Sequence, residues 1–381
     1  MRARILEIRA IGLRGGTPRG GWASELTPDE CVQTLVSVTT DAGLAGWGSV
    51  FANDDLVKGA LAVMEPLWRS ENALEPERVS EKLRQNTFWQ GRGGSLTHAI
   101  SGIDIALWDI LGKATGQPVG RLLGGRCRER VRPYASLLMD QPAVLSRHLG
   151  EIAAHGFSAF KIGWGPFGRT SDALDEEIVR AAREAVGPRA LLMVDAGGSD
   201  AYWTRGYKWA LRTAQMLARW DVHWFEEPLQ PDALADYIRL REHSPVPIAG
   251  GEVLTRRQAF LPWLEAGAFD IVQPDVTKVG GISEQRRIAW LAYDMGVKYI
   301  GHGWNTALGV AADLQLAAAM PHTDLVEFIG GSPYVDGILA DPFTLDADGY
   351  LAIPDAPGLG VRLDVGKLAR FTPDPVALLP C

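Results

Sequence analysis

Between Leu191 and Phe328, short apolar segments end one after another in an acid or a base, and no other feature restricts the fold so strongly. LLMVD ends at Asp195, HWFEEP carries Glu226 and Glu227, PIAGGE ends at Glu252, DIVQPD at Asp275 and YIGH at His302, while DLVEF carries Glu327. Counted on the first acid of each segment, successive gaps are 31, 26, 23, 27 and 25 residues. A strand with its return helix in a (β/α) barrel takes roughly 30 residues, and catalytic groups there sit at the C-terminal strand ends. An acid closing each successive strand would converge on one mouth. Any one of these acids reads equally well as a helix cap; six in register do not.

Clustered carboxylates in a low-dielectric mouth repel one another unless a cation neutralises them. Hard oxygen ligands without cysteine favour Mg²⁺ or a similar ion, which keeps positions open for water or substrate oxygens.

The rest of the composition narrows the class. The 381 residues are 46% hydrophobic and 22% charged, enough for one large barrel and a smaller domain. A net charge of -8 leaves no basic footprint for nucleic acid. The three cysteines, Cys31, Cys127 and Cys381, have no ligand spacing, which fits a reduced compartment. The N-terminal MRARILEIRAIGLRGG lacks the apolar core of a signal peptide, and no run approaches a membrane span. A soluble cytoplasmic protein is expected.

Along the chain, residues 4 to 13 alternate as a strand does. The Gly- and Pro-rich RGGTPRGGWASELTPDE that follows reads as a flexible loop, with Trp22 as a packing anchor or part of a lid. CVQTLVSVTTDAGLAGWGSV reads as a hairpin turning at Asp41-Ala42-Gly43, and helical segments run on to about residue 115. In the helix from Ala99, Asp104 and Asp109 are expected to be solvated or capping charges. From VRPYASLL (131 to 138) the pattern becomes strand, helix, strand, with eight strands up to residue 328 and seven following helices. After Gly330 the chain is irregular.

The helix AISGIDIALWDILGK followed by KATG, the D…EEP…GGE triplet, QPD and the histidine together resemble the enolase superfamily. The order Asp275, His302, Glu327 resembles its mandelate racemase subgroup, which includes acid-sugar dehydratases. The resemblance covers nearly the whole chain. It implies an α/β fold: a modified (β/α)₇β TIM barrel at 126–330 beneath an α+β capping domain, built from residues 1–125 and the segment 331–381. It also implies that Asp195, Glu226 and Glu252 bind Mg²⁺. Glu227 would then lie behind them or in the following loop, because side chains alternate along a strand and only one of the pair can face the mouth. Lys161 would act electrostatically near a substrate carboxylate, Asp275 and His302 would form the general-base dyad, and Glu327 would hydrogen-bond the substrate carboxylate. A carboxylate on one imidazole nitrogen fixes the tautomer and raises the basicity of the other.

Two positions depart from that pattern. Relatives in the racemase subgroup carry Lys-x-Lys where this chain has Lys161-Ile162-Gly163, so a second base is missing. Gly197 stands where the family usually has Asn. Lys278, three residues past Asp275, reads as a structural loop residue. A lone histidine can still remove an α-proton and return it to a β-hydroxyl on the same side.

The expected activity is a Mg²⁺-dependent lyase dehydrating a sugar acid to a 2-keto-3-deoxy acid. A racemase, epimerase or cycloisomerase using the same enolate is the alternative. A metal-dependent aldolase would not need the His–Asp dyad, and a non-catalytic sugar-acid binding protein would not need the full ligand set. The expected partner is a small carboxylate, with no nucleic acid or membrane, and the family implies a homo-oligomer.

Overall fold

The computed structural model describes residues 2–19, 26–197, 205–329 and 332–373. Trp22 and the centre of its loop lie outside the described residues. The first strands, β1 (Ile5–Leu13), β2 (Gln33–Thr40) and β3 (Ala45–Val50), form an antiparallel sheet in chain order. Gly43, at the expected turn, has φ +72°, a conformation open to glycine at little cost. Helices α1 (Asp54–Trp68), α2 (Pro76–Thr87) and α3 (Ser95–Thr115) cover the sheet.

The small residues of α3 and β3 exist for close approach. A Cβ on Gly48 would lie 2.0 Å from the Gly102 carbonyl oxygen, so helix and sheet meet backbone to backbone. Val36, Val38 and Val50 share a core with Ile103, Ala106, Leu107 and Ile110.

The short helix α4 (Val119–Leu122) leads into eight parallel strands: β4 (Arg130–Leu138), β5 (Ala159–Gly163), β6 (Leu191–Asp195), β7 (Phe225–Glu226), β8 (Ile248–Gly250), β9 (Ile271–Val272), β10 (Lys298–Tyr299) and β11 (Leu325–Phe328). They pair in the order β10-β9-β8-β7-β6-β5-β4-β11. Between them run α5 (Pro142–Ala154), α6 (Asp172–Val186), α7 (Tyr207–Arg219), α8 (Leu234–His243), α9 (Arg257–Glu265), α10 (Gly281–Asp294) and α11 (Ala307–Ala319). Tyr134, Ala159, Met193, Trp224, Ala249, Ile271, Ile300 and Leu325 form one buried cluster. Each comes from, or adjoins, a different strand, and all eight can meet only inside a closed barrel. This is the expected (β/α)₇β arrangement.

The barrel helices follow from amphipathic sequence. In α6, Ser171 accepts from the Leu174 amide at the N-terminus while Ile178, Val179, Ala181 and Ala182 face inward. Helix α11 is buried on every side, which its short side chains permit. It touches the capping sheet through Thr306 Oγ1, which donates to Ser49 Oγ at 2.9 Å. The closing stretch includes β12 (Leu351–Ala352), antiparallel to β4, and Leu359, whose amide donates to Asp109 Oδ1 at 2.9 Å.

Asp104 and Asp109 correct the expectation of solvated charges, since both are buried. Ser80 Oγ donates to Asp104 Oδ2 at 2.7 Å, and Ser283 donates through Oγ at 2.5 Å and through its amide at 3.0 Å. Asp109 accepts from Lys113 Nζ at 2.6 Å and from the Trp47 amide at 3.0 Å. Among the described residues no helix is long and apolar enough to cross a membrane.

Candidate active site at the barrel mouth

Because the strands are parallel, their C-terminal ends share one rim, and the acids gather there. Asp195 and Glu226 are the last residues of β6 and β7, Glu327 lies in β11 and Lys161 in β5. Asp275 and His302 follow β9 and β10 and are joined by an isolated parallel bridge. Lys161, Asp195, Glu226, Asp275, His302 and Glu327 are all buried. The Glu252 side chain is 14% exposed. Five of the seven predicted site residues, Lys161, Asp195, Glu252, His302 and Glu327, line one cavity of about 370 Å³, and Asp275 and Glu226 lie behind its wall, bonded to His302 and Lys161.

Lys161 Nζ lies 2.5 Å from Glu226 Oε1, 3.3 Å from Asp195 Oδ2 and 3.0 Å from Glu327 Oε1. Burial works against its charge, but Glu226 and Glu327 outweigh it and hold the ammonium well above its ordinary range. The other oxygen of Glu226, Oε2, accepts from Trp224 Nε1 at 2.9 Å and Gln273 Nε2 at 2.8 Å. Neither Trp224 nor Gln273 stood out in the sequence.

On the other side of the mouth, His302 Nδ1 lies 2.8 Å from Asp275 Oδ2, and His302 Nε2 lies 3.0 Å from Glu252 Oε2. Asp275 Oδ1 accepts from the Thr277 amide at 2.7 Å, the Thr277 hydroxyl at 2.6 Å and Asn305 Nδ2 at 3.3 Å. Burial pushes the Asp275 carboxyl up, but Lys278 and the hydrogen bond to His302 bring it down to about 2. For His302, burial favours the neutral ring, and Glu252 outweighs it and holds the imidazole well above its ordinary value.

Lys278 was expected as a structural residue in the loop after Asp275. It is buried, lines the cavity, and places Nζ 3.5 Å from Glu252 Oε1 and 4.3 Å from the centre of the Phe51 ring of the capping domain. Glu227 also lines the cavity. The strand stops at Glu226, and Glu227 turns through φ +41°, so strand alternation no longer governs it.

One carboxylate oxygen from each of Asp195, Glu226 and Glu252 can be chosen so that all lie within 4.8 Å of one another. Burial, and then Glu226, pushes the Asp195 carboxyl well above its ordinary value; Glu227 is pushed up by burial and by Glu252. Lys161 and Lys278 do not neutralise this cluster completely. A buried all-oxygen donor set with surplus negative charge is what a hard divalent cation requires, so the residues fit a metal site.

Residues 145–367 match the model described as enolase C-terminal domain-like, and residues 24–124 match the mandelate racemase / muconate lactonizing enzyme N-terminal domain. The chain belongs to this family. It is an enzyme of the enolase superfamily. It is 36% identical over 364 residues to a D-galactarolactone cycloisomerase of Agrobacterium fabrum, covering 91% of this chain and 93% of that protein. With a D-xylonate dehydratase of Haloferax volcanii it shares 32% identity over 350 residues, 87% of this chain and 83% of that one. The crystal structure of the 3,6-anhydro-D-galactonate cycloisomerase from Zobellia galactanivorans superposes with a TM-score of 0.86 at 29% identity, over 97% of this chain and 99% of that one.

In this superfamily enzyme the two departures at the mouth sit at crowded positions. A Cβ on Gly163 would lie 2.9 Å from Asp195 Cβ and 3.3 Å from Asp195 Cγ. A lysine there would have to displace Asp195. On Gly197 a Cβ would lie 3.0 Å from Asp195 Oδ1 and 3.3 Å from Glu227 Cβ, so Asp195 and Glu227 together crowd that position too.

Proposed function

We propose that this enzyme removes the proton α to the carboxylate of a sugar acid and expels the β-hydroxyl, yielding a 2-keto-3-deoxy acid. The observation that carries the reading is the Asp275–His302 pair at 2.8 Å, with Nε2 turned towards the acid cluster in the shared cavity. Asp195, Glu226 and Glu252 would hold Mg²⁺, which when bound supplies a positive charge for the substrate carboxylate.

The chain's own residues account for the proton's path. Asp275 holds His302 through Nδ1, leaving Nε2 as the atom that takes the α-proton while the C–H electron pair stays on the substrate as an enolate. Only the neutral imidazole can do this, so any interaction that draws Glu252 from Nε2 brings the base towards its working range. Lys161 sits where an ammonium would offset charge on the carboxylate, and Glu327 lies beside it. His302, now protonated, gives its proton to the departing β-hydroxyl; the C–O bond breaks, water leaves, and the enol product becomes the 2-keto acid.

Gly163 supports chemistry on one face. Racemisation needs an acceptor and a donor on opposite faces, and where a second lysine would stand this chain has Gly163, crowded by Asp195. A cycloisomerase is the second reading, favoured by the 36% identity to the Agrobacterium relative. There the same enolate would expel a ring oxygen in place of a free hydroxyl.

The test is a screen of sugar acids and their lactones with Mg²⁺ in D₂O, followed by NMR with a chelator control. A chelator-sensitive 2-keto product from an open-chain acid supports dehydration. Product only from cyclic substrates moves the enzyme to the cycloisomerase reading. Absence of α-proton exchange in every acid sinks both.

A further inference from the structure

The inner face of helix α1 is spent on the capping core, where Val57, Ala60, Leu61, Met64 and Trp68 are buried. A surface helix usually turns polar side chains outward, and α1 does not. Leu56 is 55% exposed and Val63 49%, and Gly59, Ala62 and Pro66 are exposed on the same side. Leu56, Gly59, Val63 and Pro66 recur at the three- and four-residue spacing of one helix face. Nothing lies within 4 Å of where a Cβ on Gly59 would stand, so the stripe has an open notch at its centre. Single exposed apolar side chains are ordinary, but a continuous stripe of them marks a surface that something covers.

The charges beside the stripe identify what covers it. At 3.6 residues per turn, Asp55, Lys58, Glu65 and Arg69 fall on one flank and half-buried Leu67 on the other. All four charged side chains reach solvent. Inside the chain Lys58 already pairs with Asp54, and Glu65 with Arg69, which holds them along the flank. Their order is acid, base, acid, base, and read in reverse it is its own complement. A two-fold axis crossing the helix between Leu61 and Ala62 would lay a second α1 antiparallel on the first, each flank against the same flank of its partner. Asp55 then faces Arg69 of the partner subunit, and Lys58 faces Glu65 of the partner subunit. Leu56 meets Leu67 of the partner subunit, and Val63 enters the notch at Gly59 of the partner subunit. Parallel copies would instead set like charge against like.

We propose that the outer face of α1 is the contact between two copies of this chain, an antiparallel helix pair about a two-fold axis. The apolar stripe supplies the adhesion, and the flanking charges fix direction and register.

The experiment is sedimentation velocity on the full chain across a dilution series, reading the dissociation constant of the pair. Wild type is compared with Val63→Glu, Glu65→Lys and the double variant Lys58→Glu/Glu65→Lys. Wild type is expected to dimerise or to assemble in multiples of two. Val63→Glu disturbs no ion pair within the chain and should weaken the contact about tenfold or more. Glu65→Lys sets lysine against lysine twice across the axis and should weaken it by about 10- to 100-fold. Residues 58 and 65 do not pair within one chain, so the double variant restores attraction only between copies, and it should recover wild-type affinity. Arg14 still pairs with Asp54 when Lys58 is replaced, which keeps the start of the helix in place. A wild type that stays monomeric, an assembly that Val63→Glu leaves intact, or a double variant that binds no tighter than Glu65→Lys overturns the contact.

Discussion

The barrel mouth and helix α3 both bury carboxylates, yet they treat them in opposite ways. Asp104 and Asp109 on α3 are each surrounded by hydrogen-bond donors, Ser80 and Ser283 for one, Lys113, Trp47 and Leu359 for the other. The like charge that Asp104 does feel, Glu284, is the least of the influences on it. At the mouth, Asp195, Glu226, Glu227 and Glu252 face one another, and the donors are too few for the charge. An acid satisfied by fixed donors joins two pieces of a fold, here the cap and α10. Acids that oppose one another over a cavity hold free energy in reserve for a ligand. Substitution should therefore strike chemistry at the mouth and stability on α3.

The largest effect is expected at His302. His302→Asn should slow α-proton exchange by about 10²- to 10⁴-fold, the usual contribution of a positioned general base, while the melting temperature stays close to wild type. Exchange that persists would move the base to Lys161 or Lys278, and a collapse of stability without loss of exchange would erase the contrast between the two regions.

Glu252→Gln comes next. Mg²⁺ affinity by calorimetry should fall about 10- to 100-fold, as for loss of a group that supports a metal site. Stability in the absence of metal should fall only modestly, because Glu252 pairs with His302 and Lys278, and the imidazole left behind can shed its proton. Unchanged affinity would remove Glu252 from the ligand set. Gly163→Ala is the subtler version, since it adds no charge and only presses on Asp195. A loss of about tenfold in Mg²⁺ affinity is expected; a variant indistinguishable from wild type would show that Asp195 moves aside freely and that the missing lysine has no steric cause.

The contrast also explains what could be read from the sequence. The strand-end acids were legible because a parallel barrel brings all strand ends to one rim, so spacing alone implied convergence. The same logic left Glu227 either behind the ligands or in the loop, because its direction depends on φ +41° after the strand has ended, a backbone choice no spacing encodes. Lys278 was read as a structural loop residue because its packing against Phe51 depends on how the cap sits on the barrel. Asp104 was read as solvated because its main partner, Ser283, lies 179 residues away. Each residue missed is one whose role arises between elements, and strand periodicity reports only within them.

The last expected effect, confined to stability, is a pH dependence at Asp104. Burial pushes its carboxyl from 3.8 up to about 7, against the lowering effect of Ser283 and Ser80. Because the folded value is above the unfolded one, the native state binds the proton more tightly. Its stabilising contribution is complete below about pH 4 and is lost as pH rises towards 7, by at most of the order of 4 kcal/mol. Asp104→Asn is always neutral and lacks this term, and each serine hydroxyl can turn to accept from the amide. Urea unfolding between pH 4 and pH 8 should show the variant gaining on wild type as pH rises, with no change in Mg²⁺ affinity. Parallel profiles would mean that Asp104 is ionised in the folded protein, held by its donors as a true anion, and that α3 and the mouth differ only in how many donors surround each charge.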